Sequence, residues 1–203
     1  MIKRLKLILF ILLFSIPYLY SQSSGSIYDP EGRKVPTTPR FGIKTNLLYD
    51  ATTSFNLGVE VKLNRKLTLD FPVNYNPWTF SENRKLKHLL VQPELRYWLC
   101  EPFYGHFLGA HAHYAYYNVG RLPFGGPMRD HRYEGWLAGV GGSYGYHWLL
   151  SKRWSIEATI GVGYAYLRYE KYECRTCGDY LAKNHKHYFG VTKAGVSLIY
   201  VIK

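Results

Sequence analysis

Two cysteines and two histidines stand close together near the C-terminus: Cys174 and Cys177 in the run CRTC, then His185 and His187 in the run HKH. Two thiolates and two imidazoles at such a spacing resemble a zinc donor set. In an oxidising compartment the same cysteines would instead close a short local disulfide, or stay a pair of loop thiols, and leave the histidines solvated. That second reading is the expectation, and no metal or other cofactor is expected. Cys100 stands alone and reads as a packed or free thiol. A second group is His111 and His113, with Glu94 and Glu157 as candidate neighbours. Such a cluster could titrate or work as a general acid and base, although hydrogen-bonded interior filling is the expectation. No GxSxG, HExxH or phosphate-loop pattern occurs. Ser54, His88 and Asp50 could serve a lipid-modifying enzyme at a membrane rim, but nothing in their spacing selects them.

These side chains must be carried by strands, because the apolar pattern beyond Phe41 has a period of two. In RWSIEATIGVGYAYLRY, Trp154, Ile156, Ala158, Ile160, Val162, Tyr164 and Tyr166 share one parity, while Ser155, Glu157, Thr159, Gly161, Gly163 and Ala165 share the other. About eight such segments follow one another: FGIKTNLLYDA, SFNLGVEVKL, KLTLDFPVNY, HLLVQPELRYWL, GHFLGAHAHYAYY, GWLAGVGGSYGYHWL, the stretch just quoted, and FGVTKAGVSLIYVIK. Each reaches the ~9–11 residues that a tilted strand needs to cross a bilayer, and a closed bacterial barrel needs an even number. Short links at Asn64–Arg65, Glu101–Tyr104 and Ser151–Lys152 alternate with long ones, except for the short DATTS after the first segment. The expected fold is all-β: an eight-stranded antiparallel up-and-down transmembrane β-barrel.

The charges separate lipid from lumen. Lys44, Glu60, Lys62, Asp70, Glu94, Arg96, Glu157 and Lys193 fall on the polar parity. On a lipid face each Lys or Arg at mid-depth would cost ~2–4 kcal/mol. Inside a small barrel they can pair, and with His111 and His113 they are expected to form a polar network filling the lumen. Gly161 and Gly163 would relieve crowding there. Trp148 and Trp154 flank the turn at Ser151 and Lys152, where an interfacial aromatic girdle belongs. The long links carry Arg84, Lys85, Lys87, Arg121, Arg129, Arg132, Arg175, Lys183 and Lys186 among Trp78, Phe80 and Phe124. Such residues could clamp lipopolysaccharide phosphates.

Bulk properties agree with one exported β domain. Among 203 residues, 20 are tyrosines and 19 glycines, a balance that favours strands and membrane interfaces over helical bundles. Lys3, Arg4 and Lys6 precede an apolar run from Leu7 to Leu19 that Pro17 interrupts. At about 13 residues the run is short for a span and suits a signal peptide. The expected organisation is a cleaved leader over 1–22, a proline-rich periplasmic linker over 23–40, and the barrel over 41–203. Losing the three leader cations from a formal charge of +12 leaves +9. A basic exported chain is suited to acidic headgroups; nucleic acid is not an expected partner.

At KTNLLYD (Lys44 to Asp50), FPVNYNPWTF (Phe71 to Phe80), QPELRYW (Gln92 to Trp98) and GHFLGAH (Gly105 to His111) the chain resembles a family of small Bacteroidota outer-membrane barrels, OmpA-like in architecture and catalogued as a domain of unknown function. The resemblance implies location and architecture and brings no catalytic residues. The expected function is non-enzymatic: a structural or accessory barrel with a plugged lumen, contacting lipopolysaccharide or other outer-membrane proteins. A lipid A or phospholipid-modifying enzyme and a narrow pore are the alternatives.

Overall fold

The computed structural model describes residues 27–28, 34–35, 39–80, 84–121, 131–173 and 180–202. The chain divides into two units, Met1–Thr37 and Thr38–Lys203. In the first, β1 (Ile27–Tyr28) and β2 (Lys34–Val35) pair antiparallel, so the segment read as a linker contains a small two-stranded ribbon. The predicted leader lies outside the described residues.

The second unit is a nine-stranded antiparallel sheet whose pairings run into a ring. Its strands are β3 (Phe41–Asn46), β4 (Phe55–Lys62), β5 (Leu67–Asn76), β6 (Lys85–Val91), β7 (Glu94–Trp98), β8 (Gly105–Gly120), β9 (His131–Leu149), β10 (Trp154–Glu173) and β11 (Tyr180–Ile202). Neighbours in sequence pair except β6 with β7; β11 returns to β3, and β4 pairs β5. β6 and β7 lie end to end between β5 and β8, so nine strands fill eight positions. The break is local. Pro93 has no N–H to give, yet its carbonyl accepts from Ala112 N (3.1 Å), and Gln92 N donates to Pro72 O (3.2 Å).

Short turns join β4 to β5, β7 to β8 and β9 to β10 at one end, where β3 also begins and β11 ends. Side chains shape these turns: Asn64 Oδ1 accepts from Lys66 N and Leu67 N at 2.8 and 2.9 Å, a local substitute for backbone pairing. At the other end the links are shorter than expected, because β10 runs on to Glu173 and β11 starts at Tyr180. The predicted Cys174–Cys177 disulfide lies in the interval outside the described residues. His185 and His187 belong to β11, facing Tyr166 and Tyr164 across the pair with β10.

Two further departures come from backbone irregularity. The first predicted segment stops being a strand at Asn46. Residues Leu47–Ala51 form a short helix, α1, which Asn46 caps by accepting from Leu48 N at 3.1 Å. On β11 the pairing slips between Gly161↔Lys193 and Val162↔Val191, leaving Thr192 as the extra residue of a bulge. Parity inverts across it. Val191, expected inside, is exposed, and Thr192, expected outside, donates to or accepts from His111 Nε2 at 2.9 Å.

The wall is uneven in height. β8 to β11 have 16, 19, 20 and 23 residues, whereas β3 and β4 have 6 and 8. β3 ends level with Ser197, so above that level β11 has a strand partner only in β10. α1 and two side chains stand at this seam: Asn46 Nδ2 donates to Ala194 O (3.3 Å) and Gln92 Nε2 to Thr192 O (3.0 Å).

Candidate functional site

Burial divides the ring by parity. Glu60, Asp70, Glu94, Arg96 and Glu157 are essentially fully buried inside it, whereas Ile160 is 57% exposed, Val162 53% and Phe189 80%. The charged side chains therefore form the core and the apolar ones the outer surface.

Arg96 is the hub. β7 places it between Glu94 and Trp98 on the inward parity. Its Nε donates to Glu94 at 2.5 Å, its Nη1 to Glu60 and Glu157 at 2.8 Å each, and its Nη2 lies 2.9 Å from Asp70 Oδ2 and 3.0 Å from Glu157 Oε1. One planar guanidinium thus binds four carboxylates, a use of its fixed fork of donors that an ammonium cannot copy. Lys44 adds bonds to Glu60 at 2.6 Å and Asp70 at 3.1 Å, and Lys193 to Glu94 at 3.0 Å. Hydroxyls complete the acceptors: Thr68 on Glu60, Ser143 on Glu94 and Thr159 on Glu157. His111 Nδ1 and His147 Nδ1 stand farther off, 3.9 and 3.7 Å from Glu94 and Glu157.

Of the ten inward polar residues singled out in the sequence, seven meet in this cluster, with His111 at its edge. Lys62 shares their parity but is half-buried at the end of β4. His113 is one layer farther toward the loops, its ring centroid 5.7 Å from that of His111. Glycine makes the packing feasible at two places. A Cβ on Gly58 would come 2.7 Å from Lys44 Cγ, and one on Gly109 2.7 Å from Glu94 Oε1. The space left among these side chains is about 30 Å³, the share of one water molecule.

Toward the turns an aromatic layer closes the interior. Trp98 packs on Phe103, Phe107 and His147 with centroids 6.1, 4.9 and 5.7 Å away, and the Arg96 guanidinium lies 4.4 Å from the centre of the Phe107 ring. Trp98 Nε1 donates to Thr68 Oγ1 at 2.9 Å. Phe103 enters from a turn with φ 65°, a strained conformation for a bulky residue, held by complete burial of its ring. Thr68, Ser143, His147 and Thr159 were not singled out as site residues. Their inward parity was the available signal, whereas nothing in the sequence marks Phe103.

Toward the loops the interior opens into a cavity of about 790 Å³. Leu90, Ala115, Leu137, Ala165 and Leu167 form its waist; His113 and Thr192 lie below, and His88 and several tyrosines above. Lys186 also lines it, and among the described residues no carboxylate does.

The remaining candidates are dispersed. Trp148 and Trp154 are exposed beside the turn that joins β9 to β10, packed on Tyr146 and Tyr200. Ser54, His88 and Asp50 form no relay: Ser54 bonds Asn76 and Thr52, Asp50 accepts from Thr45, and His88 Nδ1 lies on Leu86 O. Cys100 is exposed and free. Among the described residues no group of His, Cys, Asp and Glu could hold a metal ion.

No curated protein and no solved structure matches the chain. A family model described as "Protein of unknown function (DUF3575)" matches residues 8–202, and the chain belongs to that family.

Proposed function

We propose that the ring is an OmpA-like outer-membrane β-barrel with a closed lumen, working without catalysis as an accessory protein that contacts lipopolysaccharide and neighbouring outer-membrane proteins. One observation carries the membrane reading: exposed Leu57, Phe71, Leu95, Leu108, Val140 and Ile160 lie on strands whose opposite face buries the ion pairs. Soluble monomers rarely expose contiguous apolar patches beyond a few hundred Å². On β10 the apolar parity runs from Trp154 to Tyr164 and gives way to Arg168 and Glu170 two turns of the pleat later, close to the ~9–11 residues of one crossing.

The basic rim supports contact with lipopolysaccharide. At the loop end of β6 and β8 to β11, seven Lys and Arg residues stand against three Glu among the described residues, and aromatic Tyr116 and Trp136 share a surface hollow with Lys87, Arg168 and Lys183 as well as Glu134 and Glu170. Cations beside aromatic girdles suit phosphorylated headgroups.

Single-tryptophan variants in vesicles of chain-brominated phospholipid test the placement. Fluorescence of a protein retaining only Trp154 is expected to be quenched, and of one retaining only Trp98 to be unaffected. A monomer soluble without detergent would refute the membrane reading. For the partner, lipopolysaccharide retained through detergent extraction should fall several-fold in Lys87→Glu/Arg168→Glu; equal retention would remove the rim from the account.

A further inference from the structure

The loop-side cavity is unlike the rest of the interior, and its lining describes a ligand. Directly below it the inward layers carry imidazoles, hydroxyls and the ion pairs. At the cavity the inward positions turn apolar, with Leu90, Ala115, Leu137 and Leu167 brought level by the pairings Ala115↔Leu90, Ala115↔Leu137 and Leu167↔Leu137. A volume of about 790 Å³ falls in the range of small-molecule sites, which are mostly apolar with a few placed polar groups.

Those polar groups are donors or can become donors. His113 is 6% exposed and lines the cavity, yet its Nδ1 has no hydrogen-bond partner; His88 Nε2 is likewise buried and unpartnered. Buried imidazole nitrogens without partners are uncommon. With Lys186 on the same lining and no carboxylate there among the described residues, the charge complement is an anionic head on an apolar body.

The cavity also has a side entrance. Val191 lines it together with inward-facing Ala165 and Leu167, although Val191 is exposed and pairs with outward-facing Val162. The cavity therefore continues through the seam, where β11 has no strand partner on its β3 side above Ser197 and Tyr49 of α1 forms the opposite lip. An unpaired strand edge facing lipid is costly, and here the bulge at Thr192 and the side chains of Asn46 and Gln92 take up part of that exposure.

We infer that this cavity binds a long-chain fatty acid, its carboxylate held on the loop side of the apolar waist by His88 and Lys186, with entry from the surrounding lipid through the seam between α1 and β11. The inference rests on the membrane reading above. The test uses the full chain in phosphatidylcholine vesicles and a diazirine-bearing palmitic acid, with cross-linked peptides mapped by mass spectrometry. Labelling is expected on the peptides carrying Leu137 and Leu167, with competition by unlabelled palmitate and none by a cationic alkylammonium of equal chain length. Leu137→Trp, and separately Leu167→Trp, should lower this labelling at least tenfold while retaining the heat-dependent gel migration of a folded barrel. Labelling confined to outward Ile160, Val162 and Tyr164, or equal competition by the cationic amphiphile or by lysophospholipid, would overturn the inference and leave the membrane reading standing. Failure of the protein to enter vesicles would instead overturn the membrane reading itself.

Discussion

Arg96 gathers Glu60, Asp70, Glu94 and Glu157 around one guanidinium, so its removal leaves four buried carboxylates sharing two lysines. Breaking a buried ionic network from one side costs ~3–5 kcal/mol, because the abandoned charges stay out of water. Arg96→Met should therefore shift urea unfolding in vesicles by about that amount, followed by tryptophan fluorescence. Arg96→Lys should recover little, since three rotating donors cannot span four acceptors held in a plane. Wild-type unfolding in both variants would mean that the cluster does not hold the ring together. At this scale the sequence was informative through residue type alone: eight ionisable groups on one parity need partners, whichever partners they find. Which acid meets which base was not legible, because Arg96 and Glu157 are 61 residues apart and meet only through ring closure.

Each strand separates two environments through alternation, and the separation is sharpest along β10, where Glu157 and Ile160 are three residues apart and face opposite ways. Ile160→Arg should accordingly cost ~2–4 kcal/mol of stability in a bilayer, measured as unfolding free energy in vesicles, whereas Arg168→Gln on the same face beyond the apolar band should be near neutral. Equal effects at both positions would argue against a lipid-facing band. Period-two counting read β4, β5, β8, β9 and β10 correctly because their backbones are regular. It failed at Asn46, where a side-chain cap turns the chain into α1, and at Thr192, where one extra residue inverts the parity of everything before it. A bulge leaves no mark in composition, so the alternation of β11 could be counted in two ways.

The described residues of the second unit turn the usual arrangement inside out: ion pairs within, apolar side chains without, an aromatic layer near the turns and a cavity near the loops. Ion pairs with little space among them, and the buried Trp98 and Phe103 beneath, support the closed lumen proposed above. Planar bilayers containing the protein should therefore stay silent, and Arg96→Ala/Trp98→Ala, if folded, should admit ions. Conductance of the unaltered protein at physiological salt would contradict the plugged lumen. The uneven wall height, which makes the seam, follows from pairing six residues of β3 against the end of a 23-residue β11.

The sequence by itself determined the all-β class, the parity of the regular strands and the inward placement of the charges, because alternation is a property of neighbouring residues and a charge is tolerated only on the face where partners can reach it. The tertiary structure alone decided the convergence on Arg96, the inward turn of Phe103, the parity change at Thr192 and the apolar cavity with its side entrance. Each of these depends on which strands lie beside each other and at what register, and register is set by the closure of the ring as a whole.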